Sequence, residues 1–334
     1  MKYRKFGNTG LELSELCFGP MRFAEKTPGD DERSQEGMRA LHAALDGGVN
    51  VIHSSGEYGT RWALNKALAN HPKRNDLHHI IKVQTPDYED DGFDASELIS
   101  QVEHALKDLH TDCIDIVQHL QRGPRTTKED AYGPEGDPAR IGAMPSVNEA
   151  MLETFERLRE QGKVGYLTTF PHTVGFAKAA LESGAFSGMV HFYNLLETEM
   201  AQFFPEFEKK GMGFIGIRPV LQGMLTDKRI NRSTLPDDDA RKGSGWDQWY
   251  ALLDAVRAEL ESMGEKPGSW TSYAMKFSLA HPAVTTVVAG INSQSQAEEL
   301  IAACDGNYPD TSVVEAVQRV TASLPEIRKE TIFG

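Results

Sequence analysis

The chain has 334 residues, 35 Lys plus Arg against 49 Asp plus Glu, and a formal net charge of −14. That balance excludes nucleic acid and anionic membranes as principal partners, because both are bound through clustered positive charge. Its three cysteines, Cys17, Cys113 and Cys304, form neither a CxxC nor a zinc-type pattern. With no signal-like stretch at the start and no apolar run able to span a bilayer, the expectation is a soluble protein of the reducing cytoplasm.

In chain order, residues 3–6 and 11–13 flank Gly7-Asn8-Thr9-Gly10 and read as a leading hairpin. Short apolar runs then alternate with helical patterns. Residues 15–19 precede a helix carrying Met38, Leu41 and Leu45, and 50–53 precede one near 62–68. Residues 79–83 lead to a helix opened by Asp94 with Glu97 three positions on, a capping pattern, and striped by Leu98, Val102, Leu106 and Leu109. Residues 113–118 lead to a helix with Leu152, Phe155 and Leu158 that stops at Gly162. Next come 164–168 with a helix at 174–181, 189–193 with one at 200–209, and 214–217 with helical stretches at 249–260 and 271–280. The final pair is 284–288 and 294–303.

Eight such units without a compositional break predict one (β/α)₈ TIM barrel domain over residues 1–334. The hairpin plugs one end. Polar insertions at 22–36, 121–147 and 226–245 follow strands, so they belong to the C-terminal face where barrel active sites lie.

Strand ends there hold His53, then Tyr58, Lys82, Gln118, His119, His172, His191 and Arg218. Lys82 interrupts an apolar strand, and a buried ammonium needs a partner or a task. A cation beside a phenol favours phenolate, so a Tyr58–Lys82 pair makes a tunable proton donor; a structural ion pair is the plain alternative. Four strand-end imidazoles raise a metal site or a proton relay as options, although no HExxH spacing accompanies them. No Rossmann, P-loop or GxSxG motif is present in context. Arg218 suits a carboxylate or phosphate, or a salt bridge to an acidic loop.

Several segments resemble the aldo-keto reductase superfamily. They are Tyr3-Arg-Lys-Phe-Gly-Asn-Thr-Gly10, Leu13-Ser-Glu-Leu-Cys-Phe-Gly19, Gly48-Val-Asn-Val-Ile-His-Ser-Ser-Gly-Glu-Tyr-Gly59, Asp112-Cys-Ile-Asp-Ile-Val-Gln118 and Arg218-Pro-Val-Leu-Gln-Gly-Met-Leu-Thr226. Ala280-His-Pro-Ala-Val284, Gly290 and the stretch 296–299 complete a match that runs nearly the whole chain. The resemblance implies reduction of carbonyls with NAD(P)H by an Asp–Tyr–Lys–His tetrad. Tyr58 and Lys82 match the donor and its tuner. The Asp position is His53, which leaves Lys82 without that carboxylate, and the His position is Leu120 with His119 one residue earlier. Strand alternation turns His119 away from the interior unless a β-bulge re-aims it.

Gly290, Gln296 and Glu299 fall at cofactor positions, and His172 matches a divergent branch. The usual nicotinamide-binding Ser-Asn pair aligns with Phe170-Pro171, which lack hydrogen-bonding side chains. The Arg that often takes the 2′-phosphate aligns with Ser293, tilting preference toward NAD(H). The leading expectation is therefore an NAD(P)H-dependent oxidoreductase for a small carbonyl or sugar-like, carbohydrate substrate, with catalytic Tyr58, Lys82, His53 and His119 and substrate-binding His172 and Arg218. The alternatives are a non-redox epimerase or lyase, with no cofactor or with a divalent metal on the strand-end histidines, and a non-catalytic binding barrel.

Overall fold

Eight short runs of β-branched and apolar residues are buried on both faces, as parallel strands covered by helices require. The computed structural model describes residues 1–84, 93–120 and 133–323. After the hairpin strands β1 (Tyr3–Lys5) and β2 (Glu12–Ser14), eight strands close a parallel barrel. They are β3 (Leu16–Gly19), β4 (Val51–Ser55), β5 (His78–Gln84), β6 (Ile114–Leu120), β7 (Val164–Thr169), β8 (Gly188–Phe192), β9 (Gly213–Ile217) and β10 (Val284–Gly290). β10 pairs with both β3 and β9, which completes the ring.

The helices are α1 (Glu32–Asp46), α2 (Arg61–Leu68), α3 (Ala95–Leu109), α4 (Asp137–Glu160), α5 (Val174–Ser183), α6 (Phe204–Lys210), α7 (Asp247–Ser262), α8 (Trp270–Ala280), α9 (Gln294–Ala303) and α10 (Thr311–Ser323). Polar N-caps set their starts: Asp31 accepts from Ser34 N–H, Asp94 from Ser96 and Glu97, Thr173 from Phe176, and Ser293 from Gln296. None of these described helices is long and apolar enough to cross a membrane.

Among the elements that differ from the sequence expectation are α4 and α10. α4 begins at Asp137, inside the stretch expected to be a loop, and runs through Pro145 because Met144, Val147 and Met151 bury one side. Residues 121–132 of that insertion lie outside the described residues. α10 was not anticipated, although Val313, Val314 and Val317 are buried at helical spacing.

The hairpin closes the N-terminal end. Phe6 and Leu13 are fully buried with the interior residues Val51, Ile80, Ile116 and Ile215. Phe6 fits because Gly188 and Gly213 carry no side chain there; a Cβ at either would overlap its ring. A latch holds the plug in place. Arg4 Nε donates to Glu15 Oε1 at 2.8 Å, its Nη atoms donate to the carbonyls of Leu279, His281 and Val284 at 2.8–3.1 Å, and the Tyr308 hydroxyl donates to Glu15. Glu15 is 1% exposed. Arg4→Ala would leave that buried carboxylate with the Tyr308 hydroxyl but no counter-charge and strand three carbonyls, so it is expected to cost about 3–5 kcal/mol. Urea unfolding checks this, and a cost below about 1 kcal/mol, the worth of a surface pair, would contradict it.

Candidate active site

Alternation along the strands sorts the candidate residues. On β4, His53 and Ser55 share the inward face with Val51; on β5, Lys82 shares it with Ile80; on β6, Gln118 shares it with Ile116 and Leu120. Ser55 pairs with Lys82 and Lys82 with Gln118, so the polar groups form one layer at the C-terminal end of the barrel. After β4 the chain makes a single 3₁₀ turn, Gly56–Tyr58. Gly59 ends the turn at φ +67°, and Thr60 Oγ1 donates to the Pro20 carbonyl at 3.0 Å. This lifts Glu57 and Tyr58 onto the rim.

Lys82 Nζ lies 2.7 Å from Glu57 Oε2 and 5.3 Å from the centre of the Tyr58 ring. His53 Nε2 is 2.7 Å from Gln118 Oε1, and the His53 and Tyr58 rings are 6.4 Å apart. Tyr58, Lys82 and His53 are thus brought together as expected from sequence. The electrostatics differ from that expectation. Burial, and then the Glu57 charge, push the Tyr58 phenol above its ordinary pKa instead of below it. A carboxylate beside the ammonium offsets the cation that would have favoured phenolate. Burial pulls His53 down to about 4; the Gln118 hydrogen bond opposes this and the Lys82 charge adds to it.

Glu57 is a member of this cluster that the sequence reading missed. It stands next to Tyr58, two residues past a strand whose last residue opposes Lys82, and the register between β4 and β5, which no single segment carries, brings the two together. The carboxylate lost at His53 is therefore regained two residues past the strand.

The other side of the mouth is aromatic. Phe170 and Phe192 meet edge to face at 5.3 Å, His172 lies against Phe170 at 4.6 Å, and Arg218 sits over Phe192 at 4.4 Å. Arg218 is also 3.4 Å from Glu197, a fully buried carboxylate to which Asn194 Nδ2 donates at 2.6 Å. The acidic partner for Arg218 is therefore realised.

His119 does not join the cluster. No bulge interrupts the pairing of β6, so His119 shares the outer face with Val117 and packs against Phe93, ring centres 6.2 Å apart. His191, between the inward Val190 and Phe192, faces outward too. The strand-end imidazoles are thus split between two faces. Among the described residues no three His, Cys, Asp or Glu side chains converge in a way that could hold a metal.

Residues 15–321 match the family model described as Aldo/keto reductase family. The chain belongs to the aldo/keto reductase family. The uncharacterized oxidoreductase YrpG of Bacillus subtilis is 26% identical, with 91% of each chain covered. L-galactose dehydrogenase of Arabidopsis thaliana is 22% identical, covering 91% of this chain and 88% of the relative. The holo form of the aldo-keto reductase AKR11C1 from Bacillus halodurans superimposes with a TM-score of 0.72 at 23% identity, over 99% of both chains. That likeness confirms the (β/α)₈ fold with its N-terminal hairpin.

Aldo/keto reductases generally use a nicotinamide dinucleotide, and the residues present can be tested against one. After β9, Arg218, Leu221, Gln222 and Gly223 all have positive φ, between +43° and +85°. At Gly223 the space a Cβ would take lies 3.5 and 3.6 Å from guanidinium nitrogens of Arg229 and Arg241. Both arginines share one carboxylate, Asp239, at 3.0 and 2.9 Å, which leaves one positive charge over. Such a turn fits a diphosphate. The Phe170 and Phe192 rings are buried and already covered by His172 and Arg218, and Phe170 and Pro171 offer a nicotinamide carboxamide no side-chain hydrogen bond. At the candidate cofactor positions, Gly290 ends β10 with open space where a Cβ would stand. Gln296 Oε1 accepts from Asn292 N–H at 2.9 Å, and Glu299 accepts from Ser269 Oγ at 3.4 Å. The start of α9 is taken by Glu36, whose carboxylate accepts from Gln294 N–H at 2.8 Å.

Proposed function

We propose that this barrel reduces a small carbonyl or sugar-like substrate with NADH, Tyr58 giving the proton to the carbonyl oxygen. The observation that carries the reading is the Tyr58 phenol at the mouth, beside the Lys82–Glu57 pair and the neutral His53. Arg229, Arg241 and the turn at Gly223 would hold the diphosphate; bound there, the nicotinamide supplies the hydride. Glu36 at the start of α9 puts a negative charge where an extra phosphate would seek the helix N-terminus, and this supports NADH over NADPH.

This chain's own residues handle the proton. With its pKa raised, Tyr58 keeps its hydrogen at neutral pH and presents a donor to the developing alkoxide. As the phenol gives up the proton, the Lys82 ammonium 5.3 Å from its ring centre favours the developing phenolate, an effect that Glu57 partly offsets. His53, uncharged and tied to Gln118, supplies a fixed imidazole for a substrate hydroxyl or carbonyl, and Arg218 and His172 line the opposite wall for its polar groups.

One observation, the missing carboxamide partner at Phe170-Pro171, favours the second reading of cofactor-free epimerisation or elimination. That reading needs a phenolate base, and the raised Tyr58 pKa supplies little of it at neutral pH. Calorimetric titration separates the two. Saturable NADH binding, at least tenfold tighter than NADPH, is expected; no binding of either would transfer the site to proton transfer without a nicotinamide.

A further inference from the structure

We propose that Glu57 is the positioning residue of the proton-transfer site, its carboxylate clamping Lys82 and thereby fixing the Tyr58 phenol at the barrel mouth. This deepens the reading above and rests on Tyr58 as donor. On β4 the residue paired with Lys82 is Ser55 and the inward residue before it is an imidazole, His53, so neither inward position supplies a carboxylate. The ammonium is 14% exposed and its stem rises from the barrel interior, whereas Glu57 is 46% exposed on the rim. An isolated pair between two exposed side chains contributes little, but a carboxylate that matches a mostly enclosed cation also determines where that cation sits.

The clamp spans β4 and β5 and passes beside the phenol. Glu57 precedes Tyr58 in the same three-residue turn, and Lys82 reaches both the Glu57 carboxylate and the Tyr58 ring. The turn is weakly built by itself. Its first flanking residue, Ser55, makes no side-chain cap, and its backbone closure is the Gly59 N–H bond to the Gly56 carbonyl at 3.2 Å. A tie from Glu57 to a strand side chain supplies the rigidity that a donor needs, since a displacement of about 1 Å can cost about 10²-fold in rate.

The other charged or titratable groups around the turn act differently. His53 on β4 is neutral, and Arg61 on α2 is engaged with Asp108 at 3.7 Å. Lys26 packs its stem near Gly59. Among the described residues, Glu57 is the carboxylate whose charge bears on Tyr58.

The test reads Tyr58 directly. The intact protein is labelled with ¹³C at the tyrosine ring, the Tyr58 resonance is assigned by its loss in Tyr58→Phe, and wild type, Glu57→Gln and Glu57→Asp are followed from pH 7 to 11. Tyr58 is expected to stay silent in wild type and Glu57→Asp, and in Glu57→Gln to begin moving toward the phenolate position at the alkaline end of the range, burial keeping its midpoint above it. Carbonyl reduction by Glu57→Gln is expected to fall about tenfold in kcat with little change in KM, and Glu57→Asp to recover most of it. Identical Tyr58 titrations in wild type and Glu57→Gln overturn the proposal. So does a Glu57→Gln protein without native near-ultraviolet circular dichroism, because positioning by a rim residue leaves the barrel intact. A shifted ionisation supports the clamp even if no carbonyl is reduced, and only the assigned reaction then falls.

Discussion

Replacing Tyr58 by Phe is expected to lower kcat for carbonyl reduction by about 10²–10⁴-fold while leaving NADH affinity unchanged. The change deletes one hydroxyl and keeps the ring, with Lys82 5.3 Å from its centre and His53 6.4 Å away. No described neighbour makes a ready substitute. His53 titrates at about 4, so at pH 7 roughly one molecule in a thousand carries the extra proton. Lys82 is engaged with Glu57. Because the donor's pKa is raised, the rate should show no basic limb near pH 10, where an ordinary tyrosine would lose its proton. Steady-state kinetics and fluorescence titration of the cofactor check both halves. A Phe variant that retained more than about a tenth of wild-type kcat would remove Tyr58 from the reaction.

Acid is expected to unfold the protein in a window set by its buried imidazoles. His53, His79 and His119 are 6%, 4% and 1% exposed, and burial lowers each to about 4 from the ordinary 6.5. Between those two values the unfolded chain binds protons that the folded chain does not. Stability is therefore unaffected by these groups above about pH 6.5, falls as the pH drops from 6.5 toward 4, and levels off below. Each such group contributes a slope of about 1.4 kcal/mol per pH unit within the window, so three together approach about 4 kcal/mol per unit. Urea midpoints at pH 7.5, 6, 5 and 4.5 measure it. The double substitution His79→Phe with His119→Phe should flatten the slope toward that of one group. A midpoint constant from pH 7 to 5 would show that the folded imidazoles take up protons over the same range as the unfolded ones.

The apolar runs that became β3 to β10 were legible because a strand enclosed on both faces leaves a continuous signal, and eight in series close a ring. The start of α4 was hidden by Pro145, a residue that normally marks a break, and by the polar residues around it. α10 was hidden because its apolar stripe is short. At the site, Tyr58, Lys82 and His53 were readable from their places at strand ends. His119 was read as a candidate in spite of its parity; an unbroken register leaves it on the helix side, against Phe93.

By itself, then, the chain determined that a barrel forms, which side chains point into it, and that a phenol and an ammonium rise near its mouth. These follow from local periodicity, since a strand residue's face depends on counting by twos. Tertiary structure alone decided that Glu57 answers Lys82, that Gln118 holds His53, and that the Tyr58 pKa goes up. Those outcomes depend on the register between neighbouring strands and on the water each group loses, which are properties of the assembled cylinder and of no single segment.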